Sequence, residues 1–355
     1  MESGGKAVNG MKAVVQMVLV QVATAVGMLL YRMALTSGMS SSVLVAYRSI
    51  FATAFMIPVA LFFERKDRPK LTWKVTVLGF FSGFAGGAMA QNLVLESLAM
   101  TSATFASALL NLIPGTTFIL AILFRLEKLR LGTIDGRAKV GGTLMGMGGA
   151  MLMAFYKGPE IHLWDTHVDL LKMTATAGSH SRPSHPAQDH KTGGNHMALG
   201  LALAMGSCIS YSLWFNVQAK MSASYPVPYS SSALMSFMGS IQSVAYALCR
   251  ERHWDQWRLG LDIRLITVSF SGIVISGMCI VLYTLSLRER GPLFTSAFSP
   301  LLVVIVAIAA SLVLDEKLHL GSALGAVLIL SGLYAIIWGK HEEMKSRLSD
   351  QLTVS

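Results

Sequence analysis

Seven polar side chains stand out because their chemistry is costly in apolar surroundings. Gln91 and Asn92 fall in one apolar run, Asn111 in the next, Asn216 and Gln218 in a later one, and Ser296 and Ser299 further on. A carboxamide carries both donors and an acceptor, so a few of them can hold a carboxylate and an ammonium without fixing a charge in hydrocarbon. The same groups also join neighbouring helices by hydrogen bonds, and both uses are open at each position. Aromatic rings accompany them: Tyr211 and Trp214 precede Asn216, while Tyr283 and Phe298 lie in later runs. An aromatic-lined pocket with a few amides fits a small organic zwitterion. The binding candidates are Gln91, Asn92, Asn111, Trp214, Asn216, Gln218, Tyr283 and Phe298. Asn111 leads them because it sits at mid-run.

Two ionisable residues and two prolines complete the set. Arg48 and Glu96 lie well inside apolar runs, at similar depth from one face, and are expected to pair as a gate, with Glu96 a possible proton site. The alternatives are separate snorkelling to the headgroups, or an Arg48 that contacts a substrate carboxylate or anchors the fold. Pro114 and Pro300 are expected as mid-helix kinks, each freeing a carbonyl near Leu110 and Ser296.

The elements that must position these residues follow from composition. The chain has 355 residues, 53% of them hydrophobic and only 14% charged, and a mean hydropathy of +0.55. That balance belongs to an integral membrane protein. Ten apolar runs are long enough to cross a bilayer: 12–35, 43–63, 74–99, 102–124, 138–156, 196–220, 230–249, 265–287, 293–314 and 320–339. Twelve Lys and Arg residues, from Lys6 to Lys139, fall on one side of the first five runs, and Arg32 alone falls on the other. The positive-inside rule then places both termini in the cytoplasm and the 157–195 loop on the opposite face. That loop is rich in His, Ser, Thr, Pro and Gly and reads as a solvated linker, with no metal-ligand spacing. Cys208, Cys249 and Cys279 are isolated and read as packing residues.

The sequence FRLEKLRL at 124–131 returns as VLDEKLHL at 313–320, so that Glu316 stands 189 positions after Glu127. The same offset pairs Phe105 with Phe294, Ser107 with Ser296 and Leu112 with Leu301, and it sets Pro300 opposite Asn111. Further on, Gly142, Gly149 and Lys157 pair with Gly325, Gly332 and Lys340 at an offset of 183, and upstream Glu64 pairs with Glu251 at 187. Matched punctuation at loop ends marks an internal repeat. Five runs per repeat is an odd number, so the second copy enters the membrane from the opposite face. The fold expected is all-α, with ten transmembrane helices as two inverted five-helix repeats: 12–156, a linker at 157–195, 196–339, and a cytoplasmic tail at 340–355. Inverted repeats place a substrate site near the midplane, where the repeats meet. The glycine series Gly79, Gly83, Gly87, with Gly142 and Gly146 and with Gly321 and Gly325, reads as close-packed helix scaffold.

No nucleotide-binding loop, paired mid-membrane carboxylates or Ser/His/Asp arrangement is present, so neither an ATP-driven pump nor an intramembrane hydrolase is indicated, and no cofactor is implied. The net charge of +10 resides at helix ends and not in a nucleic-acid patch. The segments ERKDRPKLTW at 64–73, TSATFASALLNLIPGTTFILA at 101–121, RLEKLRL at 125–131, RGPLFTSAFSPL at 290–301 and GLYAIIWGK at 332–340 resemble plant nodulin-21-like, EamA-type transporters. These are the UMAMIT or walls-are-thin-related family within the drug/metabolite transporter superfamily. The resemblance implies a ten-helix carrier of two EamA repeats in the plasma membrane or tonoplast. It also implies transport of amino acids, or in some members of auxin-related compounds, often bidirectionally or as export; the alternative of another class is a membrane scaffold or receptor without transport.

Overall fold

Hydrocarbon offers the backbone no hydrogen-bond partner, so an apolar run of this length closes its own bonds as a helix. The computed structural model describes residues 2–66, 68–100, 109–127, 132–156, 158–161, 194–260, 262–313 and 318–354. Its helices are α1 (Glu2–Thr36), α2 (Ser41–Phe63), α3 (Trp73–Ser82), α4 (Ala90–Met100), α5 (Ile113–Leu123) and α6 (Ile134–Phe155) in the first half. The second half holds α7 (Gly194–Ser224), α8 (Pro228–Arg250), α9 (Ile263–Phe270), α10 (Ile280–Ser296, broken by non-helical backbone at Gly291), α11 (Ser299–Val313) and α12 (Leu320–Val354). Among the described residues, seven helical stretches are long and apolar enough to cross a membrane. The shorter apolar helices α5 and α11, and α6, occupy three more of the expected runs. Large apolar side chains such as Phe62, Leu123 and Val327 stay exposed on the outer surface, an area that lipid would cover. The last helix runs on to Val354, so residues 340–354 of the tail continue the final span as helix.

Two spans contain a π segment: Gly83–Met89 joins α3 to α4, and Ser271–Cys279 joins α9 to α10. Glycine is the residue these segments need, because another backbone lies against each. A Cβ on Gly83 would stand 2.6 Å from the Gly239 nitrogen and 2.9 Å from the Met235 oxygen, both on α8. A Cβ on Gly272 would stand 2.8 Å from the Arg48 oxygen and 3.2 Å from the Ala52 nitrogen, both on α2. Gly272 follows Gly83 by 189 positions, while Met235 and Gly239 follow Arg48 and Ala52 by 187. The same crossing is therefore built twice, from counterpart residues.

The helices α6 and α12 repeat the lesson at their own interface. A Cβ on Gly142 would meet the Gly332 oxygen at 2.6 Å, and one on Gly149 would meet the Gly325 oxygen at 2.7 Å. Each glycine thus packs on the repeat counterpart of the other, which is the signature of a two-fold axis crossing an antiparallel pair. The partners α2 and α8 are also antiparallel, since Glu64 at the end of α2 accepts the Tyr229 and Ser230 backbone N–H groups that open α8, at 3.0 and 2.7 Å. The repeats are inverted about an axis perpendicular to the helices.

The expected mid-helix kinks at Pro114 and Pro300 are corrected. The fourth span turns at Asn111 and Leu112 before α5 begins, and the ninth turns at Ala297 and Phe298 before α11 begins. Each proline lies in the first turn of the new helix, where its missing N–H leaves no bond unmade. The two breaks are counterparts as well: Leu112 N–H donates to the Leu109 oxygen and Leu301 N–H to the Phe298 oxygen, both at 3.0 Å. A two-residue antiparallel pairing of Glu160–Ile161 with Leu318–His319 ties the end of the first repeat to the entry of α12. Residues 162–193 of the linker, with His162, His167, His180, His185 and His190, lie outside the described residues, as do Lys157 and Glu316.

Candidate functional site

Arg48 lies seven residues into α2 and is only 7% exposed. Its Nη1 donates to the Tyr31 hydroxyl on α1 at 2.8 Å, while its buried Nε has no partner. The Tyr211 ring on α7 is close enough to act on Arg48 electrostatically. The Tyr211 hydroxyl in turn accepts a short bond from Gln91 Nε2 on α4. Two bonded pairs, Arg48 with Tyr31 and Gln91 with Tyr211, are thus drawn from four helices of both repeats and stand within electrostatic range of each other. Tyr283 adjoins this group, with its hydroxyl accepting from Gln21 Nε2 at 3.4 Å.

One turn further along α7, Trp214 lies across the gap left by Gly86 and donates its Nε1–H to Met235 Sδ at 3.2 Å. Its ring stands 4.7 Å from Phe215 and 5.6 Å from Tyr283, centroid to centroid. The Gln218 side chain, one turn further on, has no exposed surface. Its oxygen accepts from Ser82 at 2.6 Å, and its amide donates to Thr284 at 3.0 Å and to Ser231 at 3.3 Å. With both ends of the amide satisfied, Gln218 locks α3, α7, α8 and α10 together.

The remaining candidates separate. Asn92 returns its amide to the Ala88 oxygen at 2.7 Å and so satisfies a carbonyl of the π segment on its own chain. Asn216 donates to the Thr117 oxygen at 3.2 Å and the Ser212 oxygen at 2.8 Å, holding α7 to α5, while its buried Oδ1 is unpartnered. Asn111 is buried in the turn before α5. Phe298 packs at 5.3 Å on Phe294 in the core formed by α1, α10, α11 and α12, a different cluster from the Trp214 rings.

The expected Arg48–Glu96 pair does not form. Glu96 binds Arg250, at the end of α8, at 2.8 Å. The direction around each helix sends Glu96 to α8 and Arg48 to α1. A second, buried charge cluster was missed. Midway along α12, Lys340 Nζ donates to both oxygens of Glu127, at 2.6 Å to Oε2, and Glu343 accepts from Lys139 at 3.0 Å and lies 3.4 Å from Lys340. The signal was in the sequence: Glu127 belongs to the repeated EKL motif, and Lys340 was already paired with Lys157 by register. Gly291 sits directly beneath, at φ 86°, where a Cβ would approach Glu127 Oε1 to 2.8 Å.

A groove of about 280 Å³ opens between α2 and α8 at the Glu64 end, lined by Ile57, Leu61, Leu71, Leu234 and Phe237 with Arg68 at its edge. Its walls are apolar and half exposed to the lipid side. It contains none of the amides, so it is set aside as the solute site.

Inverted halves meeting at a partly buried polar group invite comparison with known carriers. The sequence pattern of the EamA-like transporter family matches residues 11–155 and again 198–338. The chain belongs to that family. A WAT1-related protein of Arabidopsis thaliana is 46% identical over 340 residues, covering 96% of this chain and 92% of the relative. A second WAT1-related protein of the same plant is 45% identical over 337 residues, with 95% and 92% covered. A protein crystal structure with 15% identity has a TM-score of 0.64 over 92% of this chain and 96% of its own, and so shares the fold. As an EamA-like transporter the chain is a multi-pass integral membrane protein that moves a small molecule, and it is not an enzyme.

Proposed function

We propose that this transporter carries neutral amino acids down their gradient by alternating access, the two inverted repeats rocking about a shared midplane site. The observation that supports it is the enclosed group of Arg48, Tyr31, Gln91 and Tyr211, drawn from both repeats and rich in hydrogen-bonding atoms. The glycine crossings support the motion, because small residues let packed helices slide past one another without a side-chain lock. The buried Glu127–Lys340 pair ties the first repeat to the second at one end of the assembly. By the charge bias of the first half that end is cytoplasmic, with both termini on the same side. A glycosylation tag inserted near Ser184 reports the opposite face.

Asn111, in the backbone turn before α5, contacts solute in this reading, and Asn111→Ala alters substrate preference at normal expression. The aromatic group of Trp214, Phe215 and Tyr283 favours a second substrate class, an aromatic carboxylate such as auxin. Uptake and efflux of a labelled amino-acid panel and of auxin in proteoliposomes, at two pH values, tests both. No flux of any amino acid above empty vesicles, with auxin carried, selects the second class. No flux of either rejects the proposal.

A further inference from the structure

Arg48 is the one feature of the central group that the packing leaves unexplained. A guanidinium does not give up its proton in a protein, so burial cannot neutralise it. Among the described residues no carboxylate lies within ion-pair distance of it, since the nearest expected partner, Glu96, is engaged by Arg250. Tyr31 takes Nη1 only, and Nε is buried with no acceptor. The Nε–Nη2 edge, the pair of parallel N–H groups that fits the two oxygens of a carboxylate, is the edge left over.

The neighbours of Arg48 are also donors. Tyr31 accepts from Arg48 and Tyr211 accepts from Gln91, so each phenol keeps its own proton to give. The repeat counterpart of Arg48 is Met235, at a crossing with the same backbone contacts. An uncharged residue therefore satisfies this packing position, and the charge at 48 is surplus to the scaffold.

We infer that Arg48, with Tyr31 and Tyr211, is a carboxylate-binding subsite that fixes the acid end of a monocarboxylate solute inside the membrane. This rests on the central group being the transport site, and it deepens that reading by naming the part of the solute that is recognised. The solute's carboxylate supplies the counter-charge that none of the described residues gives Arg48. Amino acids and aromatic carboxylates both qualify, whereas their amides, esters and decarboxylated amines do not.

The test uses purified full-length protein in two assays. The first is the shift in melting temperature given by phenylalanine, phenylacetate, phenylalaninamide and phenethylamine. The second is counterflow of labelled phenylalanine in proteoliposomes. The two acids are expected to stabilise the wild-type protein and the amide and amine to leave it unmoved. Arg48→Gln is expected to weaken the acids by roughly tenfold to a hundredfold, the worth of one or two hydrogen bonds to a charged group. Arg48→Met removes an unpaired charge, so in the absence of solute it melts no lower than wild type. A merely structural arginine would lower it. Equal stabilisation by acid and amide, or full retention of acid binding in Arg48→Gln, overturns the inference while leaving transport intact. Acid stabilisation that depends on Arg48 but comes without phenylalanine flux upholds the subsite and counts against the amino-acid reading. Absence of any shift with either acid overturns the subsite.

Discussion

The two glycine crossings are the same object in backbone and different objects in chemistry. At one, Gly83 lies on the Met235 oxygen and the Gly239 nitrogen; at the other, Gly272 lies on the Arg48 oxygen and the Ala52 nitrogen. Met235 then turns a thioether to Trp214, and Arg48 turns a guanidinium to Tyr31. The scaffold obeys the repeat because backbones that approach this closely tolerate no side chain. The site departs from it because side chains beyond the crossing carry no such restriction.

Four substitutions break or sharpen this comparison. The largest effect is expected from Met235→Arg, which places a second cation where Trp214 offers a donor and no acceptor. A buried charge without a partner costs about 3–5 kcal/mol, so loss of monodisperse protein on size-exclusion chromatography is the expected outcome. A well-folded Met235→Arg protein would mean that the two crossings are also equivalent in their polarity. Next, Gly83→Val and Gly272→Val should each destabilise by about 1–3 kcal/mol through overpacking against backbone, and by similar amounts. Thermal melts of the two variants that differ widely would show that the crossings are alike only in shape. The smallest effect belongs to Arg250→Gln. Arg250 is more than half exposed, so loss of its pair with Glu96 should cost about 0–1 kcal/mol and shift the melting temperature little. A large fall would assign that pair a gating or folding role that its exposure does not support.

Much of the fold was legible because membrane helices leave coarse marks. The EKL endings, the Glu64 and Glu251 register and the spaced glycines are set by loop positions and backbone approach, and both are visible in a linear chain. What was not legible depends on direction around a helix. Arg48 and Glu96 each follow the phase of their own helix, and at 3.6 residues per turn a small difference in phase sends one to Tyr31 and the other to Arg250. The π segments shift that phase again inside α3–α4 and α9–α10, and nothing in residue type marks where a wide turn begins. Of the binding candidates, Gln91 joins the central group. Asn92, Asn216 and Gln218 spend their amides on the scaffold, a choice that composition alone leaves open. Tyr31 is not among the sequence candidates, because its bond to Arg48 depends on how α1 packs on α2, which residue type alone does not give.

Gly142 on Gly332 and Gly149 on Gly325 form what would be called, between separate chains, an isologous interface: each surface meets its own copy, and the pairing closes on itself. In a homodimer every substitution appears twice, so a cation introduced at one crossing would also appear at the other. Joining both halves in one polypeptide lifts that rule. A single arginine can then stand at position 48 while methionine remains at 235, giving a two-fold framework a one-sided interior.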